Sequence, residues 1–261
     1  MREQAVPLRN PLSRTVPFYH QVAGTIRDRI TTGTYDVGSC VPSSVELERE
    51  FGVSNITIRK ALNLLKEEGR VKTQLGVGTF VIAGRTPNVV DIKFSGKFTE
   101  WLEWASGKNQ DVRQDVLSVE RVRGAAEIRG KLGLKEDERI WQMRRIRRLR
   151  NEPISYHVSY GREELYKLIR KKDLQGSGSF IEQLQKCYPR KVKRIEQHVE
   201  AAIANMDLAN MLGIQFGSPI FFMEHLYIGE RGEVIAITQL FMRADRYRYS
   251  TSIELDGGTF S

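Results

Sequence analysis

Residues 41–69 read V-P-S-S-V-E-L-E-R-E-F-G-V-S-N-I-T-I-R-K-A-L-N-L-L-K-E-E-G, two helical patterns separated by a glycine. Ser43 and Glu46 have the spacing of a capping box after Pro42, which marks a helix start. Val45, Leu47 and Phe51 supply apolar anchors for a short helix, and Gly52 ends it. Ser54 is an N-cap for the next helix. Ile58, Ala61, Leu62 and Leu65 form its core-facing stripe, and Gly69 stops it. Its early outward positions are Asn55, Thr57, Arg59 and Lys60, all hydrogen-bond donors, two of them cationic. Two helices joined by a short glycine-containing turn define a helix-turn-helix. The second helix of such a unit enters the major groove with its N-terminal residues toward base edges.

The flanks complete the unit. Upstream, Pro17 opens a helix whose face is Phe18, Val22, Ile26 and Ile30, with Gly33 as its left-handed stop. Downstream the period changes from helical to alternating. Val71, Thr73 and Leu75 run to Gly76-Val77-Gly78, and Thr79, Phe80, Val81 and Ile82 run back. This is a hairpin, or wing, whose glycine tip allows close approach to phosphates. Lys72 adds a cation on its first strand. A glycine-tipped hairpin alone is usually only a turn, and a helix pair alone only core. Three helices and a wing in this order are far more specific.

Residues 16–83 resemble the GntR family nearly continuously. The stretches that carry the likeness are V-P-F-Y-H-Q-V-A-G-T-I-R-D-R-I-T-T-G, the 41–69 run and G-V-G-T-F-V. The resemblance implies a homodimer on a near-palindromic double-stranded operator. It also implies that Ser43, Thr57, Arg59, Gly76, Gly78 and Thr79 lie at the DNA, with Arg59 as main reader of guanine or phosphate. Two positions depart from the family pattern, Val45 and Asn55, where arginine is usual. Val45 cannot meet phosphate as a cation, and Asn55 can pair with adenine instead.

Beyond Gly84-Arg85-Thr86-Pro87-Asn88, a turn-rich boundary, V-V-D-I-K-F reads as a linking strand. Strand-like alternation then dominates: 112–122, 140–149, 154–160, 220–228 and 234–242, with hairpin signals at Asn151-Glu152-Pro153 and Gly229-Glu230-Arg231-Gly232. Helical pieces fall at 125–132, 162–171, 179–187 and 207–212. The expected fold class is α+β, an antiparallel sheet with packed helices following the winged helix-turn-helix. The expected limits are an extension at 1–15, the DNA-binding domain at 16–84, a linker at 85–95, the second domain at 96–256 and a tail at 257–261.

This second half resembles the UTRA ligand-sensing domain of the HutC subfamily, whose fold is shared with chorismate lyase. The supporting stretches are K-F-T-E-W-L at 97–102, R-I-R with N-E-P-I-S-Y-H-V-S-Y at 145–160, G-S-F-I-E-Q-L at 178–184, L-G-I at 212–214 and R-A-D-R-Y-R-Y at 243–249. The likeness implies a small effector, a carboxylate or phosphate compound, bound on the sheet. Arg145 and Arg147 match the family's paired arginines. One residue apart on a strand, they share a face and can clamp an anion. Ser179 matches a serine at a helix start, where free N–H groups also favour anions. Arg243 can add charge. His157 and Ala236 stand where sugar-phosphate sensors often carry Glu, and Ile181 where they carry Tyr. The expected effector is therefore a smaller or more apolar acid than an amino-sugar phosphate. Residues 121–150 carry 11 basic and 4 acidic side chains, and such a run also suits a solvated strand face. Helix capping alone also explains Ser179.

Composition sets outer bounds. Lys and Arg total 41 against 32 Asp and Glu, a formal net charge of +9 over 261 residues. Residues 1–84 contribute only +3 of it, so the basic excess is not concentrated in the helix-turn-helix and pattern carries the assignment. No apolar run reaches membrane-spanning length and the start lacks a secretory h-region, so a cytoplasmic protein with no membrane partner is expected. Cys40 and Cys187 form no C-x-x-C pair. His20, His157, His198 and His225 are scattered in a pattern more often structural than ligating. Glu224 and His225 point to opposite faces of one strand. Neither a G-x-S-x-G elbow nor a P-loop is present. No metal, cofactor or catalytic set is expected. The competing reading is a chorismate-lyase-like enzyme acting on a small aromatic or carboxylic acid, with an accessory helix-turn-helix.

Overall fold

The computed structural model describes residues 16–83, 89–94, 112–176, 178–189 and 191–251. The extension at 1–15, the boundary at 84–88, the K-F-T-E-W-L stretch and the tail at 257–261 lie outside them. The chain divides into two compact units, Met1–Asn88 and Val89–Ser261.

In the first unit, α1 (Phe18–Thr31), α2 (Ser44–Phe51) and α3 (Asn55–Glu67) enclose a core of Val22, Ile26, Ile30, Leu47, Phe51, Ile58, Ala61 and Leu65. Pro17 sits at the N-cap position of α1, one residue before the first turn. Ser43 and Glu46 close the capping box: Ser43 Oγ accepts from the Glu46 N–H at 3.3 Å, and the Glu46 carboxylate accepts from the Ser43 N–H at 2.8 Å. Gly52 adopts φ +63, the left-handed conformation that turns the chain between α2 and α3. Val45 is a correction. It is 54% exposed, because the α2 stripe that reaches the core runs through Leu47 and Phe51. A short strand, β1 (Cys40–Val41), pairs with the wing, giving the order β1-β3-β2 with β2 (Val71–Gln74) and β3 (Gly78–Val81). Val41, Val71 and Val81 fasten this sheet to the helices.

The second unit is built on a six-stranded antiparallel sheet. Its strands are β5 (Val112–Val122), β6 (Ile140–Leu149), β7 (Glu152–Arg162), β8 (Val192–Ile203), β9 (Pro219–Gly229) and β10 (Val234–Arg243), in the spatial order β5-β6-β7-β10-β9-β8. Arg150 and Asn151, both at positive φ, make the β6–β7 turn, so the turn precedes Glu152 and Pro153 rather than including them. The helices are α4 (Ala126–Lys131), α5 (Leu165–Leu168), α6 (Phe180–Cys187) and α7 (Met206–Leu212). The expected 162–171 helix is only the four-residue α5 and a 3-10 turn at Lys171–Asp173. Side-chain parity divides the core between two faces. Trp141, Met143, Met223, Tyr227 and Leu240 meet Leu165, Phe180 and Leu184 on one. Tyr156, Val158 and Ile220 meet Ala209 and Leu212 on the other, and Ile140 and Ile237 meet Ile128 and Leu132.

Strand β4 (Val90–Phe94) revises the linker. It pairs in parallel with β11 (Tyr247–Thr251), and Val90, Ile92 and Tyr247 are buried in the second unit's core. The V-V-D-I-K-F stretch thus belongs to the second unit by packing and pairing.

Candidate DNA interface and effector site

The start of α3 presents Asn55, Arg59 and Lys60 as exposed side chains. Arg59 and Lys60 make no ion pair among the described residues. Lys72 on β2 is likewise exposed and uncommitted. Four of the expected DNA contacts, Ser54, Asn55, Thr57 and Thr79, have local work that sequence alone did not show. Ser54 does not cap α3 through its side chain; its Oγ lies 3.0 Å from Thr57 Oγ1, and Thr57 is only half-exposed. Asn55 Nδ2 donates one of its two N–H groups to Glu48 Oε1 at 2.5 Å. Thr79 is 9% exposed, its hydroxyl 3.2 Å from Thr73 Oγ1 across the hairpin, because its side chain faces inward on β3. At the tip, Gly76 is set by φ +74 with open space around it. Gly78 has a packing reason too, since a Cβ there would stand 2.7 Å from Cys40 Sγ. Ser43, exposed, already serves the capping box.

The second site is a polar layer inside the second unit. Arg145 and Arg147 are 2% and 6% exposed, so the solvated-face alternative fails for this pair. The antiparallel register sets Arg145 opposite His157 and Arg147 opposite Ser155. It continues through Ser159 opposite Thr238, and Thr238 opposite His225. All of these side chains share one face of the sheet and all are buried. Arg145 Nη2 donates to Ser159 Oγ at 3.0 Å, and Nη1 to Gln114 Oε1 at 3.4 Å. Its guanidinium carbon lies 5.5 Å from the centre of the Phe180 ring, and its Nε–H has no acceptor. No carboxylate among the described residues pairs with Arg145. Gln114 Nε2 also donates to Gly178 O at 2.9 Å, which ties the segment ahead of α6 to the arginine. Ser179 follows at the N-cap, 1% exposed, its N–H donating to Glu182 at 3.2 Å. Ser155 Oγ lies 2.9 Å from both His157 Nε2 and Tyr247 Oη.

Burial dominates the electrostatics. Desolvation, then the charge of Arg147, lowers the Arg145 pKa to about 10. Desolvation lowers Arg147 as well. The same cause, with Arg147 beside it, pushes His225 down to about 3, and it drives His157 well below the ordinary 6.5. Both imidazoles are therefore neutral near pH 7. Two cations, neutral imidazoles and hydroxyls in a desolvated layer form a receptor for an anion with hydrogen-bonding groups.

Arg243 does not join them. Its position on β10 puts it on the opposite face. There its Nη2 and Nε reach both oxygens of Asp245 at 2.7 and 3.0 Å, and Nη1 donates to Pro153 O. Sequence reasoning also passed over Gln114, Ser155, Ser159, His225 and Thr238. Their signal was the i, i+2 run Ser155, His157, Ser159 within an otherwise apolar strand. Glu224 faces away, as expected, and meets Lys131 Nζ at 2.7 Å.

These two sites define a DNA-binding module followed by a ligand-sensing one, and the comparisons agree. Residues 18–81 match the family described as bacterial regulatory proteins, gntR family, and residues 107–248 match the UTRA domain. The chain is similar to the mannosyl-D-glycerate transport/metabolism system repressor MngR of Escherichia coli K12, 26% identical over 90% of this chain and 95% of that one. It is also similar to the HTH-type transcriptional repressor NagR of Bacillus subtilis 168, 23% identical over 90% and 93%. In fold it is similar to the crystal structure of the possible transcriptional regulator YydK of Bacillus subtilis, with a TM-score of 0.53 at 20% identity over 92% of this chain and 100% of that one. The chain belongs to the GntR family of bacterial regulators and carries a UTRA domain. It is a DNA-binding transcriptional regulator, not an enzyme, with DNA and a small-molecule effector as partners. No helix among the described residues is long and apolar enough to cross a membrane.

Proposed function

We propose that the protein is a cytoplasmic HutC-type repressor. It binds a near-palindromic operator as a homodimer and leaves it when a small anionic metabolite fills the polar layer. The observation that carries the effector class is Arg145, buried with no carboxylate beside it among the described residues. An anion arriving there gains charge-assisted bonds and relieves an uncompensated buried cation. The repressor sense follows the names of its relatives MngR and NagR. The first of these names concerns mannosyl-D-glycerate, a carboxylate, which agrees with an anionic effector. The neutral His157 and the apolar Ile181 and Ala236 favour a small or partly apolar acid over an amino-sugar phosphate.

At the DNA, Arg59 and Lys60 reach the major groove, Ser43 and Ser54 flank them, and Lys72 with Gly76 and Gly78 follows the backbone beside the wing. Thr57 and Thr79 position their neighbours, and Asn55, held to Glu48 by one N–H, offers its other N–H and its Oδ1 to a base. Residues 16–84 form the DNA-binding domain, 85–88 the connection and 89–256 the effector domain, since β4 pairs within the second unit. Selection of bound sequences from random DNA gives the operator. Release of that operator by candidate acids, followed by fluorescence anisotropy and calorimetry, then tests the class. An effector that is uncharged, or one whose affinity is indifferent to Arg145→Met, overturns the anionic reading.

A further inference from the structure

Resting on the reading of α3 in the major groove of a near-palindromic operator, we propose that Ile56 is a specificity-determining residue. Its side chain packs on the C5 methyl of a thymine in each half-site.

Ile56 is 68% exposed, the only large apolar side chain of α3 that is exposed. An exposed isoleucine is ordinary by itself, because much of any protein surface is apolar. Its place on the helix sets it apart. The buried stripe of α3 is Ile58, Ala61, Leu62 and Leu65. At about 3.6 residues per turn, Ile56 stands roughly 180° around the helix from the middle of that stripe. Arg59 follows it at i+3 and Lys60 at i+4, so Ile56 shares its outward face with both exposed cations. The isoleucine therefore sits on the face that the cations turn toward DNA, in the first turn, where a recognition helix meets base edges.

The polar residues around it are already engaged. Ser54 Oγ and Thr57 Oγ1 lie 3.0 Å apart, and Asn55 gives one N–H to Glu48. Ile56, between them, is the first-turn side chain with open surface and no polar atom to satisfy. Against phosphate or a guanine edge it would strip water from polar atoms and return no hydrogen bond. The apolar feature of the major groove is the thymine methyl, which cytosine lacks. Asn55, through its other N–H and its Oδ1, suits adenine. Together the two residues make the start of α3 a reader of A·T pairs.

The test uses the full chain and the operator obtained by selection from random DNA, with binding read by fluorescence anisotropy. Each thymine position is replaced in turn by deoxyuridine in both half-sites, which keeps base pairing and removes only the methyl. One such replacement is expected to weaken wild-type binding about tenfold, since each half-site loses one buried methyl. Ile56→Ala is expected to weaken binding to the unmodified operator by a similar factor. It is also expected to bind the uracil operator almost as well as the thymine one, so the two changes are not additive. Its salt slope stays that of the wild type, because no phosphate contact is lost. Ile56→Val, which keeps a branched apolar surface, retains most of the affinity and of the uracil penalty. Circular dichroism and the thermal midpoint check that each variant is folded. A half-site in which no thymine methyl matters, or a uracil penalty that survives undiminished in Ile56→Ala, overturns the Ile56 contact. If Arg59→Ala and Lys60→Ala also leave operator affinity untouched, the reading of α3 in the groove falls with it.

Discussion

Arg145 is held by a serine, a glutamine amide and a phenylalanine face rather than by a carboxylate. Burying a cation without a counter-charge costs stability that an anionic ligand returns. Arg145→Met is therefore expected to stabilise the ligand-free protein by about 1–3 kcal/mol in urea unfolding while abolishing effector release of the operator. A destabilised variant with an intact response would contradict this. The two buried histidines make a pH prediction. Their folded pKa values lie below the unfolded 6.5, so as pH falls the unfolded chain takes up protons first. Their contribution is complete above pH 6.5 and is lost below it, down to about pH 3 for His225. Within that window His225 adds a slope approaching about 1.4 kcal/mol per pH unit, and His157 adds in the same direction. His225→Gln is expected to flatten the fall of the urea midpoint between roughly pH 6.5 and 5, and an unchanged slope would refute it. At the DNA, Arg59→Ala is expected to weaken operator binding and to lower the salt slope by about 1 if the contact is phosphate, or to relax one base position if it is guanine.

The helix-turn-helix depends on how α2 and α3 are joined. Gly52 at φ +63 has open space where a Cβ would stand, so only its backbone conformation resists substitution. Gly52→Ala is expected to cost about 1 kcal/mol of thermal stability in the full chain, without disturbing operator specificity. A neutral result would show that this turn relaxes. Elements with strong period and clear ends, such as α1, α3 and the 112–122 and 140–149 strands, were legible from residue pattern. β8 was not. K-R-I-E-Q-H-V-E-A-A interleaves charge with isolated apolar residues because, at a sheet edge, β8 has one neighbouring strand and much solvent. β4 and β11 were missed as a pair for another reason: 157 residues separate Val90 from Tyr247, and no local pattern reports a long-range parallel pairing.

On the scale of the whole molecule, effector and operator share one thermodynamic cycle. The factor by which effector weakens DNA binding must equal the factor by which DNA weakens effector binding, and calorimetry of the effector with and without operator checks that equality. The sequence by itself determined the order of modules, the class of the protein and the strand that bears the arginine pair, because periodicity, caps and glycine positions are local properties. Only the tertiary structure decided which polar residues meet. It gathered Gln114, Arg145, Ser155, His157, Ser159, His225 and Thr238 from five strands onto one buried face, and it sent Arg243 to the other. The physical reason is that side-chain direction on a sheet follows from strand register. Register is settled by the packing of all six strands together, with bulges in β5, β7, β8 and β10 that shift parity along the way.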